Sequence, residues 1–205
     1  MTKSKTLAAV LVGSLLAAAC SSEQTVSVVL NTSMGEIEVV VYPDRAPQSA
    51  GSFLQFVDQG RYNGQGFYRV VRPDNDNGDP VISVIQGGVL DTTTLSAADM
   101  VPHEPTDRTG LTHQDGTLSL ARSEPGTGGG GTFFICIDAQ PSLDFGGARN
   151  ADAQGFAAFG QVTRGMDVVR QINGLVADGL ADSDYVRNQI LKQPVIIERA
   201  YRSVD

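Results

Sequence analysis

The sequence predicts a mainly β protein, a closed barrel with a helix at each end. Short apolar runs alternate with turn residues along almost the whole chain, and 23 glycines punctuate them, which is the pattern of many strands rather than long helices. Helical spacing occurs at two places, one after the first pair of strands and one before the last strand. The order of strands, helix, many strands, helix and strand suits a sheet that closes on itself and is plugged at both ends. At 205 residues and 41% hydrophobic content the chain can bury one good core. With no repeat or linker to divide it, one folded domain is expected over residues 26–205.

The elements follow in order. Val26 to Leu30 and Glu36 to Val41 are β-rich runs, joined by Asn31-Thr32-Ser33-Met34-Gly35 as a hairpin with a longer turn. Pro47 suits a first helical turn, Phe53, Leu54, Phe56 and Val57 recur at helical spacing, and Gly60 marks the stop. Strands are then expected at Phe67 to Val71, Val81 to Gln86, Thr117 to Ala121, Phe133 to Ile137 and Phe156 to Val162. A second helix from Met166 to Ile172 ends near Gly174, and Val195 to Tyr201 returns as the last strand.

The N-terminus reads as a targeting segment. Lys3 and Lys5 precede an apolar stretch over residues 7–19, too short for a comfortable membrane span, and Ala17-Ala18-Ala19 leads into Cys20. Small residues directly before a cysteine resemble a bacterial lipobox, in which the cysteine is lipidated and becomes the first mature residue. Residues 1–19 are therefore expected to be a lipoprotein signal peptide, Cys20 the lipidation site, and residues 20–25 a tether. From Ser21 to Thr25 the chain reaches about 17 Å when extended, so the domain should sit close to the membrane. The expected location is outside the cytoplasm, anchored by lipid at the cell envelope, on the periplasmic face or the outer membrane if the source is Gram-negative.

Charge and cysteine usage fit that reading. The net charge of −8 leaves no basic stripe for phosphates, so nucleic acid is not an expected partner. Removing the leader takes Lys3 and Lys5 with it, leaving 13 of the 15 basic residues against all 23 acidic ones, a formal −10. Such a chain gains nothing from anionic lipid by charge, and the anchor must hold it there. Cys20 and Cys136 are the two cysteines; with Cys20 acylated, Cys136 has no disulfide partner and is expected to pack as a small buried hydrophobe. A monomer is expected.

Seven segments in order carry more than any one of them. They are Ala46-Pro47 with Phe53, Phe67-Tyr68-Arg69-Val70-Val71, Ile85-Gln86-Gly87-Gly88, Gly116-Thr117-Leu118-Ser119-Leu120-Ala121-Arg122, Phe133-Phe134-Ile135, Leu143-Asp144, and Phe159-Gly160-Gln161-Val162 with Gly165-Met166. In this order, from about Val26 to Tyr201, the chain resembles the cyclophilin-type peptidyl-prolyl isomerases. The resemblance implies an eight-stranded antiparallel barrel with an active groove on one outer face. It also implies Arg69 as the catalytic group and Gln86 as the groove glutamine that positions Arg69 and the substrate backbone. By motif position Val84, Phe134, Leu143 and Phe156 form an apolar cup for the proline ring, and Thr132 stands at the substrate-binding position where the family has a groove glutamine. The backbone around Ala121-Arg122-Ser123 is expected to pair with an extended substrate.

The chemistry suits those residue types. Rotation about an X-Pro bond meets a barrier of about 18–20 kcal/mol from amide resonance, although cis and trans differ little in energy. A guanidinium can donate to the carbonyl beside the prolyl nitrogen, or to that nitrogen as it becomes pyramidal, which is preorganised electrostatic stabilisation. No nucleophile, metal or cofactor is required. Ser83, Thr132, Ser142 and Phe156 depart from the family's usual residues, and Arg72 to Pro80 is an insertion between Arg69 and Gln86. These departures bear on substrate contacts rather than on the reaction.

Rival motifs fail. Asp74-Asn75-Asp76-Asn77-Gly78-Asp79 places its glycine one position early for a calcium loop and has Ile85 in the twelfth position, so a solvated turn is expected. His103-Glu104 is followed by Pro105 rather than a zinc-protease helix, His113 stands alone, and Gly126 to Gly131 lacks the lysine of a phosphate loop, leaving a flexible connection beside the groove. Two functions are compatible with the sequence: an isomerase acting on proline-containing exported polypeptides during folding, or a catalytically weak peptide-binding or chaperone module that has kept the groove. Retention of Arg69 and Gln86 favours the enzyme.

Overall fold

A computed structural model describes residues 23–122 and 125–203. The described residues form ten strands: β1 (Val26–Thr32), β2 (Gly35–Val41), β3 (Gln65–Val71), β4 (Val84–Gly88), β5 (Met100–Pro102), β6 (Thr117–Leu120), β7 (Thr127–Gly129), β8 (Thr132–Cys136), β9 (Ala157–Arg164) and β10 (Ile190–Arg202). The helices are α1 (Pro47–Asp58), the short α2 (Thr106–Thr109) and α3 (Met166–Asn173). Eight strands close into an antiparallel barrel in the order β1-β10-β3-β4-β8-β6-β9-β2, as the sequence predicts. Closure leaves no unpaired sheet edge in the barrel.

Alternation along the strands fills the barrel. Val28, Leu30, Ile37, Val39, Phe67, Val70, Ile85, Leu118, Phe133, Ile135 and Phe159 are buried in one continuous core. The two longer helices pack on different strands, α1 on β9 and β10, α3 on β2, β3 and β4. Phe53 of α1 is the hub of the first contact, with its ring 5.1 Å from Phe159, 5.3 Å from Phe133 and 5.4 Å from Tyr62. Edge-on and tilted aromatic pairs of this kind add to the gain from burial alone.

Several boundaries differ from expectation. The β1–β2 hairpin is tighter than expected: Thr32 pairs with Gly35, so only Ser33 and Met34 form the turn, and the Thr32 hydroxyl bonds the Gly35 carbonyl at 2.6 Å. Strand β4 starts at Val84 rather than Val81, because the Ile82 N–H is taken by Asp76 of the preceding insertion. Strand β10 starts at Ile190, and a bulge between Ile190 and Val195 absorbs Pro194, which has no N–H to pair. The glycine run is not a loose connection. Thr127 to Gly129 form β7 and pair with β5 in a separate two-stranded sheet.

Close approach of backbones explains one glycine directly. Gly88 has φ +117, and a Cβ there would lie 2.1 Å from the Gly131 carbonyl oxygen. Backbone cannot yield as a side-chain tip can. Gly88→Ala is expected to cost about 2–4 kcal/mol through clash and backbone strain together, read from the midpoint of denaturant unfolding. A midpoint equal to that of the native protein would contradict the packing of β4 on β8.

Candidate active site

A bulge in β3 builds the polar half of the site. Gly87 pairs with Phe67 and the next residue of β4, Gln86, pairs with Arg69, so Tyr68 is the extra residue. Tyr68 and Arg69 consequently flank Gln86 on the outer face, a common use of a bulge beside a site. The Gln86 side chain bonds both: its Oε1 accepts from Arg69 Nη1 at 2.9 Å, and its Nε2 donates to the Tyr68 hydroxyl at 2.9 Å.

Arg69 is held from a second side. Gln189, buried just before β10, accepts at Oε1 from Arg69 Nε at 2.9 Å and from Nη2 at 2.6 Å. Its own Nε2 donates to the Asn75 carbonyl at 2.9 Å. Three of the five guanidinium N–H groups are thus spent on two glutamine oxygens, which leaves two for a ligand. Burial pulls the Arg69 guanidinium below its ordinary value, and the charge of Arg149 adds to this while Tyr185 and Tyr68 oppose it. An arginine so placed is still a cation at any physiological pH.

The apolar half comes from β8 and the connection after it. Phe134 pairs with Gln86 on one side and with Ser119 on the other, so the row from Arg69 runs across β3, β4, β8 and β6. Residues paired in this way project from one face of the sheet. Phe134 meets Phe156 edge-on at 5.3 Å, and with Val84, Cys136, Ile82, Val71 and Leu143 forms a second hydrophobic cluster outside the barrel core. Cys136 packs there as a small hydrophobe, and burial pushes its thiol up, so it is not a reactive thiolate.

The two halves enclose a cavity of about 250 Å³ lined by Arg69, Gln86, Val84, Ala121, Arg122, Phe134, Leu143 and Phe156. Of the residues expected to form the polar pair and the proline cup, all line this cavity, whereas Thr132 stands apart from it. It sits in an adjoining pocket that shares Gln86, Ala121 and Arg122, and its hydroxyl donates to the Gly129 carbonyl at 2.8 Å. The register explains this, since Thr132 pairs with Gly88, two residues along from Gln86.

The expectation of main-chain pairing with substrate changes at Ala121. The Ala121 N–H donates to Thr132 and its carbonyl accepts from Gly129, at 3.1 and 2.8 Å, so the fold already uses both groups. Ser123 lies outside the described residues. The Arg122 side chain has a role of its own: it donates to the Gly155 carbonyl at 2.7 Å and to both Asp152 oxygens at 2.9 and 2.8 Å, with its guanidinium carbon 5.4 Å from the Phe156 ring centre. It therefore buttresses the Phe156 wall. The same guanidinium holds the Asp152 carboxyl below its usual value.

Other residues of the site carry no local sequence signal. Ile82, Arg149, Asn150 and Tyr185 also line the cavity. Asp76 is not solvated: its side chain is 0% exposed and takes two bonds from Arg149, whose side chain is 2% exposed. His113, expected to stand alone, is buried beneath Phe134 with the rings nearly parallel at 6.0 Å. Its Nδ1 lies 2.7 Å from Asp144 Oδ1 and its Nε2 lies 3.0 Å from the Ser119 hydroxyl. Contacts at both ring nitrogens fix the ring under the cup. Among the described residues no three His, Cys, Asp or Glu side chains converge as metal ligands.

Comparison with known proteins agrees with this geometry. The family model described as cyclophilin type peptidyl-prolyl cis-trans isomerase/CLD matches residues 27–202. A peptidyl-prolyl cis-trans isomerase of Acinetobacter baylyi is 34% identical over 190 residues, covering 92% of this chain and 91% of its own. Peptidyl-prolyl cis-trans isomerase B of Escherichia coli K12 is 32% identical, with 83% of this chain and 96% of its own covered. The crystal structure of a Cryptosporidium parvum cyclophilin type isomerase superimposes with a TM-score of 0.62 at 20% identity, over 89% of this chain and 99% of that one. A second structure of that protein, determined in the presence of the dipeptide Ala-Pro, gives 0.59 at 20% identity, over 87% and 99%. Barrel, ordered motifs and relatives converge: this chain belongs to the cyclophilin-type peptidyl-prolyl cis-trans isomerase family and is an isomerase of that type.

Proposed function

We propose that Arg69 is the catalytic group, and that the enzyme accelerates X-Pro isomerisation during folding of exported polypeptides while anchored to the cell envelope by lipid on Cys20. The observation that carries the first part is the Arg69 guanidinium, locked by Gln86 and Gln189 at the edge of a cavity whose other wall is Phe134, Leu143 and Phe156. The apolar wall takes the proline ring. The remaining N–H groups reach the carbonyl beside the prolyl nitrogen, or that nitrogen, as the amide twists out of plane. Because the donors are held before substrate arrives, little reorganisation opposes the twisted amide. A proline-containing chain as occupant is supported by the Ala-Pro dipeptide used with the Cryptosporidium parvum structure.

Exchange spectroscopy on a proline-containing peptide tests this reading with the purified protein and with Arg69→Ala. Acceleration by the native protein and its loss in the variant are expected; equal rates would refute the assignment of Arg69. The anchor rests on Ala17-Ala18-Ala19-Cys20, outside the described residues. Mass spectrometry of the membrane fraction is expected to find a diacylglyceryl-modified Cys20 at the N-terminus. An unmodified cysteine, or a leader cut elsewhere, would remove the anchor.

A further inference from the structure

Tyr185 lies outside every motif that carries the family assignment, in the connection between α3 and β10, yet it lines the same cavity as Arg69. The guanidinium carbon of Arg69 stands over its ring, 5.4 Å from the centre. That of Arg149 stands 5.6 Å away, and Arg149 Nη2 donates to the Tyr185 hydroxyl at 2.9 Å. Arg149 is itself immobile, because it is buried and donates to Asp76 and to the Pro80 carbonyl. Asn77 of the same insertion holds the neighbouring backbone, donating to the carbonyls of Tyr185 and Arg187 at 3.2 and 2.8 Å.

An aromatic residue that is 50% exposed on a long connection would ordinarily sample several rotamers. This one is pinned at its hydroxyl and at its backbone, with its ring against Arg69. The 72–80 insertion therefore reaches the site through a continuous path from Asp76 to Arg149 to Tyr185.

We propose that Tyr185 is a positioning residue for Arg69: its ring, fixed from behind by the Asp76–Arg149 pair, restricts the guanidinium and shields it from water. The inference rests on the reading of Arg69 as the catalytic group. Gln86 and Gln189 set the hydrogen-bonding edges of the guanidinium, and the ring adds a cation–π contact, which strengthens as water is excluded. The contact exists before any peptide binds. Its loss therefore acts on the rate of the bound complex more than on peptide affinity.

Exchange spectra of the full-length protein with a proline peptide, recorded over a peptide titration, give kcat and Kd separately. Tyr185→Ala is expected to lower kcat about fivefold and to shift Kd by less than about twofold. It should also broaden the Arg69 Nε–H resonance of the peptide-free protein. Tyr185→Phe keeps the ring over Arg69 but loses the Arg149 bond that pins it, so its kcat is expected to fall between those of the native protein and Tyr185→Ala. Tyr185→Leu fills similar space without the ring and should match Tyr185→Ala, with an unchanged melting curve as the control for folding. Unchanged kcat in the Ala and Leu variants would overturn the proposal, and so would a loss that falls wholly on Kd, which would make the ring a substrate wall. These failures are distinguishable from failure of the parent reading: Arg69→Ala with native kcat removes the catalytic assignment, whereas a slow Arg69→Ala beside native Tyr185→Ala removes only the positioning role.

Discussion

Arg69→Ala is expected to slow prolyl exchange about a hundredfold or more, the range found when one preorganised donor is removed from a transition-state site. The argument rests on how the guanidinium is held. Three N–H groups are bound to Gln86 and Gln189 before any peptide is present, so the remaining two meet the twisting amide without first being ordered. Peptide affinity should change much less, because Phe134, Leu143 and Phe156 form their cluster without contribution from Arg69. Arg69→Lys is a sharper test. An ammonium keeps the charge but cannot span two glutamine oxygens and still present a planar fork, so the variant should stay well below native rate. Recovery of native kcat by lysine would show that charge alone suffices and that the double glutamine clamp is incidental.

Most of the barrel was legible because each long strand carries its own alternation. Phe67 to Val71, Thr117 to Ala121 and Phe133 to Ile137 announce strands by composition, and Phe53, Leu54, Phe56 and Val57 announce α1 by period. What escaped lacks such a period. Strands β5 and β7 are three residues each, Met100-Val101-Pro102 and Thr127-Gly128-Gly129, and pair through backbone with almost no side-chain pattern. The start of β10 is hidden by Pro194, which reads as a break and is in fact taken up by a bulge.

The site divides in the same way. Arg69, Gln86 and Phe134 are visible because they lie within ordered motifs on strands, and Leu143 because it lies in one on the connection after β8; the register between β3, β4 and β8 then brings the first three together. Gln189 and Tyr185 approach from a connection with no periodicity, and Gln189 is 120 residues from the arginine it holds. Asp76 was misleading for a different reason. Asp, Asn and Gly in succession are turn formers wherever they occur, and composition does not tell a turn facing water from one folded over a buried arginine 73 residues away.

That buried pair should make the insertion a determinant of stability. Arg149→Leu strands the Asp76 carboxylate with no counter-charge, and breaking a buried pair from one side costs about 3–5 kcal/mol. The pH dependence follows from the direction of the Asp76 shift. Burial pushes its carboxyl up, but hydrogen bonds from Arg149, Ile82 and Gly78 and the charge of Arg149 outweigh it, and the folded-state value is depressed. A depressed carboxylate contributes stability that is fully present above its unfolded value of about 3.9 and is lost as pH falls through the folded one. The difference in unfolding free energy between native protein and Arg149→Leu should therefore be flat and largest from about pH 5 to 8. It should narrow as pH falls below about 3.9 and the carboxyl protonates. Denaturant unfolding of both proteins at several pH values measures this. A variant as stable as native at neutral pH would mean that the insertion closes without the pair. A gap that persists unchanged into acid would mean that Arg149 acts through Pro80 and Tyr185 rather than through the carboxylate.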